Sequence, residues 1–303
     1  MFLKNPRPST DQRLRSLLQK AVRRGFVRTV ELVADRLFEK GDNSWLRSRT
    51  VVITFEECWP LASALSMGRD KSSRRDGLVH VATAAKEKNA AGLGALAYAL
   101  NAGDQSMFDC VPDKRILKIV SDGLERPDGF FAWALSQKMG GSADDVIWSA
   151  RRYLSAATWE WDKACILAGA LLATLEKVPT VVPAAPPVGD FPYWVALDKH
   201  TPEGKAALAA VAKEAKSSYR QIIWASFYFE SACVNELLPS PWWEAERAWR
   251  LRRAGLTLQQ AERLWLTTRP LVRARLEDDA ARLRRLVETS PSMHVVPAQK
   301  GFA

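Results

Sequence analysis

The sequence predicts an all-α protein, a multi-helix orthogonal bundle of about ten to twelve helices with a basic surface. Three observations carry that expectation. Apolar residues recur at three- and four-residue spacing along most of the chain, as on one face of a helix, and no convincing pair of alternating strand-like runs competes with them. Glycine, proline and Asx residues break the pattern between the periodic segments. Of 303 residues, 47% are apolar, enough for a sizeable core in one large or two modest domains.

Ser9 and Thr10 before Asp11 open a first helix, with Leu14, Leu17, Leu18, Ala21 and Val22 at helical spacing and Arg13, Arg15, Lys20, Arg23 and Arg24 on the other side. Gly25 interrupts it. A second apolar face through Val30, Val33, Ala34, Leu37 and Phe38 ends at Gly41, implying two antiparallel helices. In NSWLRSRTVVITFEECWPLA, Ser44 is placed to cap a third helix that Pro60 must end or kink. Its β-branched run, Thr50 to Thr54, suits a strand, but an isolated strand has no partner, so helix is expected. Leu78, Val79, Ala82 and Ala85 mark the next helix, followed by the alanine-rich AAGLGALAYAL, able to pack closely against neighbours.

Further helices fit residues 115–124, 130–138, 144–156 with Ser142 as cap, and 159–177. The proline-rich VPTVVPAAPPVGD cannot continue the last, because proline lacks the amide donor and disfavours helix in the residue before it. Beyond it Thr201, followed by Pro202 and Glu203, reads as an N-cap. Residues 217–237 then give an aromatic helix with Trp224, Phe227, Tyr228 and Phe229. Ser240 is expected to cap PWWEAERAWRLRRAG, and Thr257 to open a final helix to about Val287, kinked at Pro270. The organisation expected is an N-terminal helical domain over residues 1–178, a proline-rich connection with the DKHT segment over 179–202, a C-terminal helical region over 203–290, and a disordered tail over 291–303.

The 44 Lys and Arg against 34 Asp and Glu leave +10, which attracts polyanions and points to DNA as partner. No apolar run reaches the ~18 to 20 residues needed to cross a bilayer, and MFLKNPRPSTDQR lacks the apolar centre of a secretory signal, so no membrane and a cytoplasmic location are expected. Cys58, Cys110, Cys165 and Cys233 have no CxxC or His/Cys pairing, which argues against a zinc site or a disulfide framework. No metal or cofactor is expected.

The segment LVADRLFEKGDNSWLRSRTVVITFEECWPLA resembles the C-terminal helical collar of clamp-loader-like AAA+ ATPases of the RarA/MgsA type, in which a run ending S-E-D-I-G follows a helix pair. Glu56 and Glu57 fall where that family has Glu-Asp, and Cys58-Trp59 replace its Ile-Gly. The DKHTPEG stretch is similar to a D-x-H-T-x-x-G segment in relatives of that collar. The chain has no GxxxxGK[ST], so the resemblance implies a collar without its motor, with protein partners of replication or repair and a mainly structural role for the paired acids.

The densest chemistry is FPYWVALDKHTPEGK. A helix cap explains Thr201 and Glu203, but not Asp198, His200, Tyr193 or Trp194. Asp198, His200, Glu56 and Glu57 are therefore the candidate catalytic groups, the last two because VVITF before them and CW after them would desolvate a carboxylate. Adjacent residues on a helix point about 100° apart, so at most one of Glu56 and Glu57 faces a given cleft. Tyr193, Trp194, Lys199, Thr201 and Trp59 are candidates to hold a substrate, and Arg13, Arg23, Arg24, Arg247, Arg250, Arg252 and Arg253 to hold DNA. An all-helical, basic, tryptophan-rich protein can supply what excision of a modified base by N-glycosidic cleavage needs: a carboxylate, rings for the extruded base and cations for the backbone. The alternative is a non-catalytic, collar-like DNA-binding or assembly module. Catalysis requires the acids and His200 to converge on an aromatic-lined cleft; a module needs them only as caps and ion pairs.

Overall fold

The computed structural model describes residues 12–65, 71–187 and 192–289. The expected cap at Ser9 to Asp11, Phe191 and the tail from residue 291 lie outside them. The described residues are all-helical, with thirteen α-helices, more than the sequence suggested. In order these are α1 (Gln12–Arg24), α2 (Val27–Glu39), α3 (Asn43–Cys58), α4 (Lys71–Thr83), α5 (Asn89–Asn101), α6 (Lys114–Glu125), α7 (Pro127–Ser136), α8 (Gly141–Tyr153), α9 (Glu160–Leu175), α10 (Pro202–Glu214), α11 (Tyr219–Ser226), α12 (Pro241–Arg253) and α13 (Leu258–Glu288). Short 3-10 turns follow α3 (Trp59–Ala64) and α8 (Leu154–Ala156), and another, Tyr193–Ala196, precedes α10.

The apolar faces collect into two cores. One joins α1, α2 and α4 to α10, α11, α13 and the Tyr193–Ala196 turn. The other joins α5 to α9 with α12. Between them lies α3, which gives Leu46, Ile53 and Cys58 to the first core and Val51, Val52 and Phe55, with Trp59 from the turn after it, to the second. Burial on both sides is why this segment reads as a continuous β-branched run and not as an amphipathic helix. The packing therefore does not divide at residue 178: the N-terminal helix pair shares its core with α13, and α12 packs on α5. At that last crossing, a Cβ on Gly92 would lie 2.3 Å from the Trp242 backbone, so only glycine permits the approach.

One extended thread, residues 84–88, runs through the interior. Ala85 N donates to Val182 O at 2.8 Å, Lys86 N to Glu236 O at 2.8 Å and Glu87 N to Glu57 O at 2.9 Å. It ties the proline-rich connection, the segment before α12 and the end of α3 together.

Four local expectations change. The aromatic helix stops at Ser226 and passes through a π turn, Phe227–Ser231, which carries Glu230 inward, before the chain pairs with the thread. Ser240 makes no side-chain cap of α12; its hydroxyl accepts from Lys88 N at 3.0 Å instead. α8 begins at Gly141, with Gly140 at φ 79 in the cap position and Ser142 already inside. Asp42 rather than Ser44 precedes α3. As expected, one helix runs from its Thr257 cap through Pro270, whose ring lies on the exposed side.

Candidate functional site

The DKHT segment is a turn wired to α1. Asp198 Oδ1 accepts from His200 N at 2.7 Å, and Thr201 Oγ1 accepts from Gly204 N at 3.2 Å while donating to Asp198 O at 3.1 Å. From α1, buried Lys20 donates through Nζ to the carbonyls of Trp194, Val195 and Leu197 at 3.3, 2.9 and 2.7 Å. Burial lowers Lys20 to a pKa of about 8, with Asp198 working in the opposite direction. Burial disfavours the Asp198 charge, but Lys20, Ser16 and the His200 amide outweigh it and hold the carboxyl below its ordinary range. Burial also lowers His200, which keeps the imidazole neutral at neutral pH.

Tyr193 and Trp194 face inward. Tyr193 is buried and donates its hydroxyl to Glu230 Oε2 at 2.6 Å. Trp194 is buried under the Arg24 guanidinium, 4.2 Å from its ring centroid, and packs on Phe26. Lys199 stands 3.9 Å from the Trp224 ring and 4.9 Å from Phe227, and burial followed by the charge of Arg250 brings its pKa to about 8. A cleft of about 190 Å³ opens beside the turn, lined in part by Arg13, Ser16, Thr201, Glu203, Asp279 and Arg282; neither Asp198, His200 nor any aromatic ring is among its walls.

Glu56 and Glu57 point to different partners, as their angular offset requires. Glu57, 1% exposed, takes Arg23 Nε on Oε1 at 2.8 Å and Lys88 Nζ on Oε2 at 2.9 Å. Burial opposes this charge, yet the two cations hold the carboxyl well below its usual range. Glu56 receives one nitrogen of Arg49 at 3.2 Å, and Arg49 also binds Asp162 at 2.7 Å and Gln19 at 3.1 Å. Desolvation, only partly offset by Arg49, pushes Glu56 up. Trp59 is fully buried in the second core. Asp198 and Glu57 thus share α1 but use different residues of it, Ser16 and Lys20 for one and Arg23 for the other.

The basic candidates divide. Arg23 and Arg24 turn inward, to Glu57 and to Glu230 at 2.9 Å. Arg13 pairs with Glu203 at 3.4 Å, Arg247 with Glu244, Arg250 with Glu246, Arg253 with Asp104 at 2.5 Å, and Arg252 with Asp109 at 3.9 Å. Exposed cations without a salt-bridge partner among the described residues lie elsewhere, including Lys205 and Lys213 on α10, Lys216 and Arg220 after it, and Arg263 on α13.

Sequence reasoning missed the buried charges of KEKN. Lys86, Glu87 and Lys88 are 0%, 4% and 2% exposed. Lys86 Nζ closes the end of α4 by donating to the carbonyls of Val81 at 2.9 Å, Ala82 at 3.2 Å and Ala84. Lys88 adds a contact 4.6 Å above the Trp243 ring. Glu87 Oε1 accepts from Asn89 N at 3.1 Å. Its carboxyl, with the Trp59 indole and Glu176 also near, is pushed up to about 7, chiefly by burial. Glu230 and Glu246 were missed too; the latter accepts from Tyr228 and Arg250. A charged tetrapeptide between two periodic segments reads as a solvated turn, and no local signal marks it as interior.

Glu87 has a measurable consequence. Its folded pKa of about 7 exceeds the ordinary 4.5, so the folded state holds its proton more tightly between those values. The stability it contributes is full below pH 4.5 and is lost as pH rises through 7. Glu87→Gln is expected to flatten the fall in melting temperature across that window relative to the unaltered protein; an unchanged slope would assign the pH dependence to other groups.

Among the described residues no three His, Cys, Asp or Glu side chains gather as metal ligands, and no helix is long and apolar enough to cross a membrane. No known protein family, curated protein or solved structure matches the chain.

Proposed function

We propose that the protein is a non-catalytic helical module that binds DNA through its exposed cations and works in an assembly, in keeping with the collar resemblance. One observation carries this reading: each candidate acid has internal partners. Glu57 neutralises Arg23 and Lys88, Glu56 meets Arg49, and Asp198 stabilises the turn before α10. These side chains connect α1, α3, the thread and α10, which is what a fold needs and what a reacting carboxylate facing a substrate does not. The chain's net charge of +10 is the second support for this reading, because excess cations attract phosphate.

Binding is expected to weaken steeply with salt, by a log-log slope of about −0.9 for each duplex phosphate neutralised. The test titrates labelled normal and modified duplexes at rising salt, then treats the same incubations with alkali. Salt-sensitive binding with no strand breaks supports the module. Breaks that appear only after alkali, and vanish in Asp198→Asn, would overturn it in favour of base excision; a flat salt response would remove nucleic acid from consideration.

A further inference from the structure

The most exposed tryptophans fall in one stretch of the chain. Trp59, Trp194, Trp242, Trp243, Trp249 and Trp265 are all buried. By contrast Trp159 is 72% exposed, Trp148 54% and Trp133 38%, and all three come from the short span that runs from α7 to the start of α9. Single exposed apolar residues are ordinary, but indoles exposed on this scale contribute little to a fold and are the side chains that partners use.

Trp148 and Trp159 bracket the last turn of α8 and the 3-10 turn Leu154–Ala156. That last turn carries Arg151 and Arg152, both exposed and neither in a salt bridge among the described residues. The Arg151 guanidinium lies 5.5 Å from the Trp148 ring centroid, and that of Arg152 lies 5.3 Å from Tyr153. Two arginines at a helix C-terminus also suit the helix dipole, but the dipole gives no reason for the exposed Trp148 ring beside Arg151. The nearby acids are accounted for: Asp144 and Asp145 sit at the opposite, N-terminal end of α8, and Glu160 is held by Lys163 at 2.6 Å.

We propose that this surface is a stacking platform for single-stranded nucleic acid, with unpaired bases lying on Trp148 and Trp159 and Arg151 and Arg152 meeting the flanking phosphates. The inference rests on the nucleic-acid reading above and narrows it. Rings stack on any base whose face is open, and those faces are closed inside a duplex; guanidinium groups left without internal carboxylates remain available to phosphate. A protein partner could use the same residue types, and the experiment separates the two.

The test measures intrinsic tryptophan fluorescence and binding anisotropy with an oligo(dT) of about 16 nucleotides, within the usual span of one such binding surface, and with a duplex of equal length. Oligo(dT) is expected to quench the unaltered protein. Trp148→Ala combined with Trp159→Ala should weaken single-strand binding about tenfold or more while leaving duplex binding and the melting temperature nearly unchanged. Arg151→Ala with Arg152→Ala should lower the single-strand salt slope by about 1.4, the value for two phosphate contacts. Single-strand binding that survives both double variants would overturn the platform and leave the DNA-binding module standing. Binding to neither strand form would overturn both and assign the exposed rings to a protein partner.

Discussion

Glu57→Ala is expected to destabilise the protein by about 3–5 kcal/mol, the usual cost of removing one partner from a buried ionic cluster. The penalty arises from what remains. Arg23 and Lys88, 8% and 2% exposed, would lose the carboxylate that both now meet, leaving Arg23 an unpaired buried charge and driving Lys88, already lowered by burial, toward its neutral form. Glu57→Gln keeps the shape and still leaves Arg23 and Lys88 facing a neutral amide, so it should fall close to Glu57→Ala and not close to the unaltered protein. Arg23→Met should cost less, because Lys88 continues to neutralise Glu57. Urea unfolding of the three variants reads this ordering directly. A small loss in Glu57→Ala would mean that water reaches the cluster and that the acid is available for other work, the one result here that would return Glu57 to the catalytic candidates.

Gly204→Ala is expected to be the second severe change, although it adds only one methyl group, in the buried first turn of α10. A Cβ there would lie 1.8 Å from Asp198 O and 2.6 Å from Asp198 C. Those atoms are backbone, and the turn that holds them is fixed by Thr201 from one side and by the Lys20 bonds to the preceding carbonyls from the other. Relief requires opening the turn, so the cost should reach or exceed the usual 1–3 kcal/mol of overpacking, with about 1 kcal/mol more where the Thr201 cap is lost. A melting temperature within a degree or two of the unaltered protein would show that the turn shifts freely. The aspartate, threonine and glycine of DKHTPEG are thereby explained as one device: the first two fix the backbone, and the third leaves room for it.

How much of this was legible in the sequence depended on the range of the interactions. Thr201 and Thr257 cap α10 and α13 as expected, the latter in a capping box with Gln260, because a cap involves residues three apart. Gly25 and Gly41 end their helices for equally local reasons. The partners of the charged residues were not legible, since Arg23 finds Glu57, Arg24 finds Glu230 and Arg49 finds Asp162 across the fold. The basic side assigned to α1 was read as a DNA face because periodicity locates a polar stripe without showing whether water or a buried acid faces it. The same blindness applied to Tyr193 and Trp194, whose dense chemistry was real but directed at Glu230 and Arg24. Aromatic residues in the α7 to α9 span were equally present in the sequence, and only the structure distinguishes the exposed indoles from the buried ones.

The internal thread of residues 84–88 also bears on how the chain reaches this state. Most helical proteins assemble quickly because their contacts are local. Here Ala85 must find Val182, and Lys86 must find Glu236, after long stretches of intervening chain have been placed. Individual helices form on the order of a microsecond, whereas contacts this far apart in sequence carry a larger loop-closure entropy and slow folding relative to a bundle of local contacts. A nascent chain that has emerged only as far as α9 holds Lys86, Glu87 and Lys88 with part of their hydrogen bonding still to come. Until α12 arrives, the interior of the finished protein is a charged, open seam.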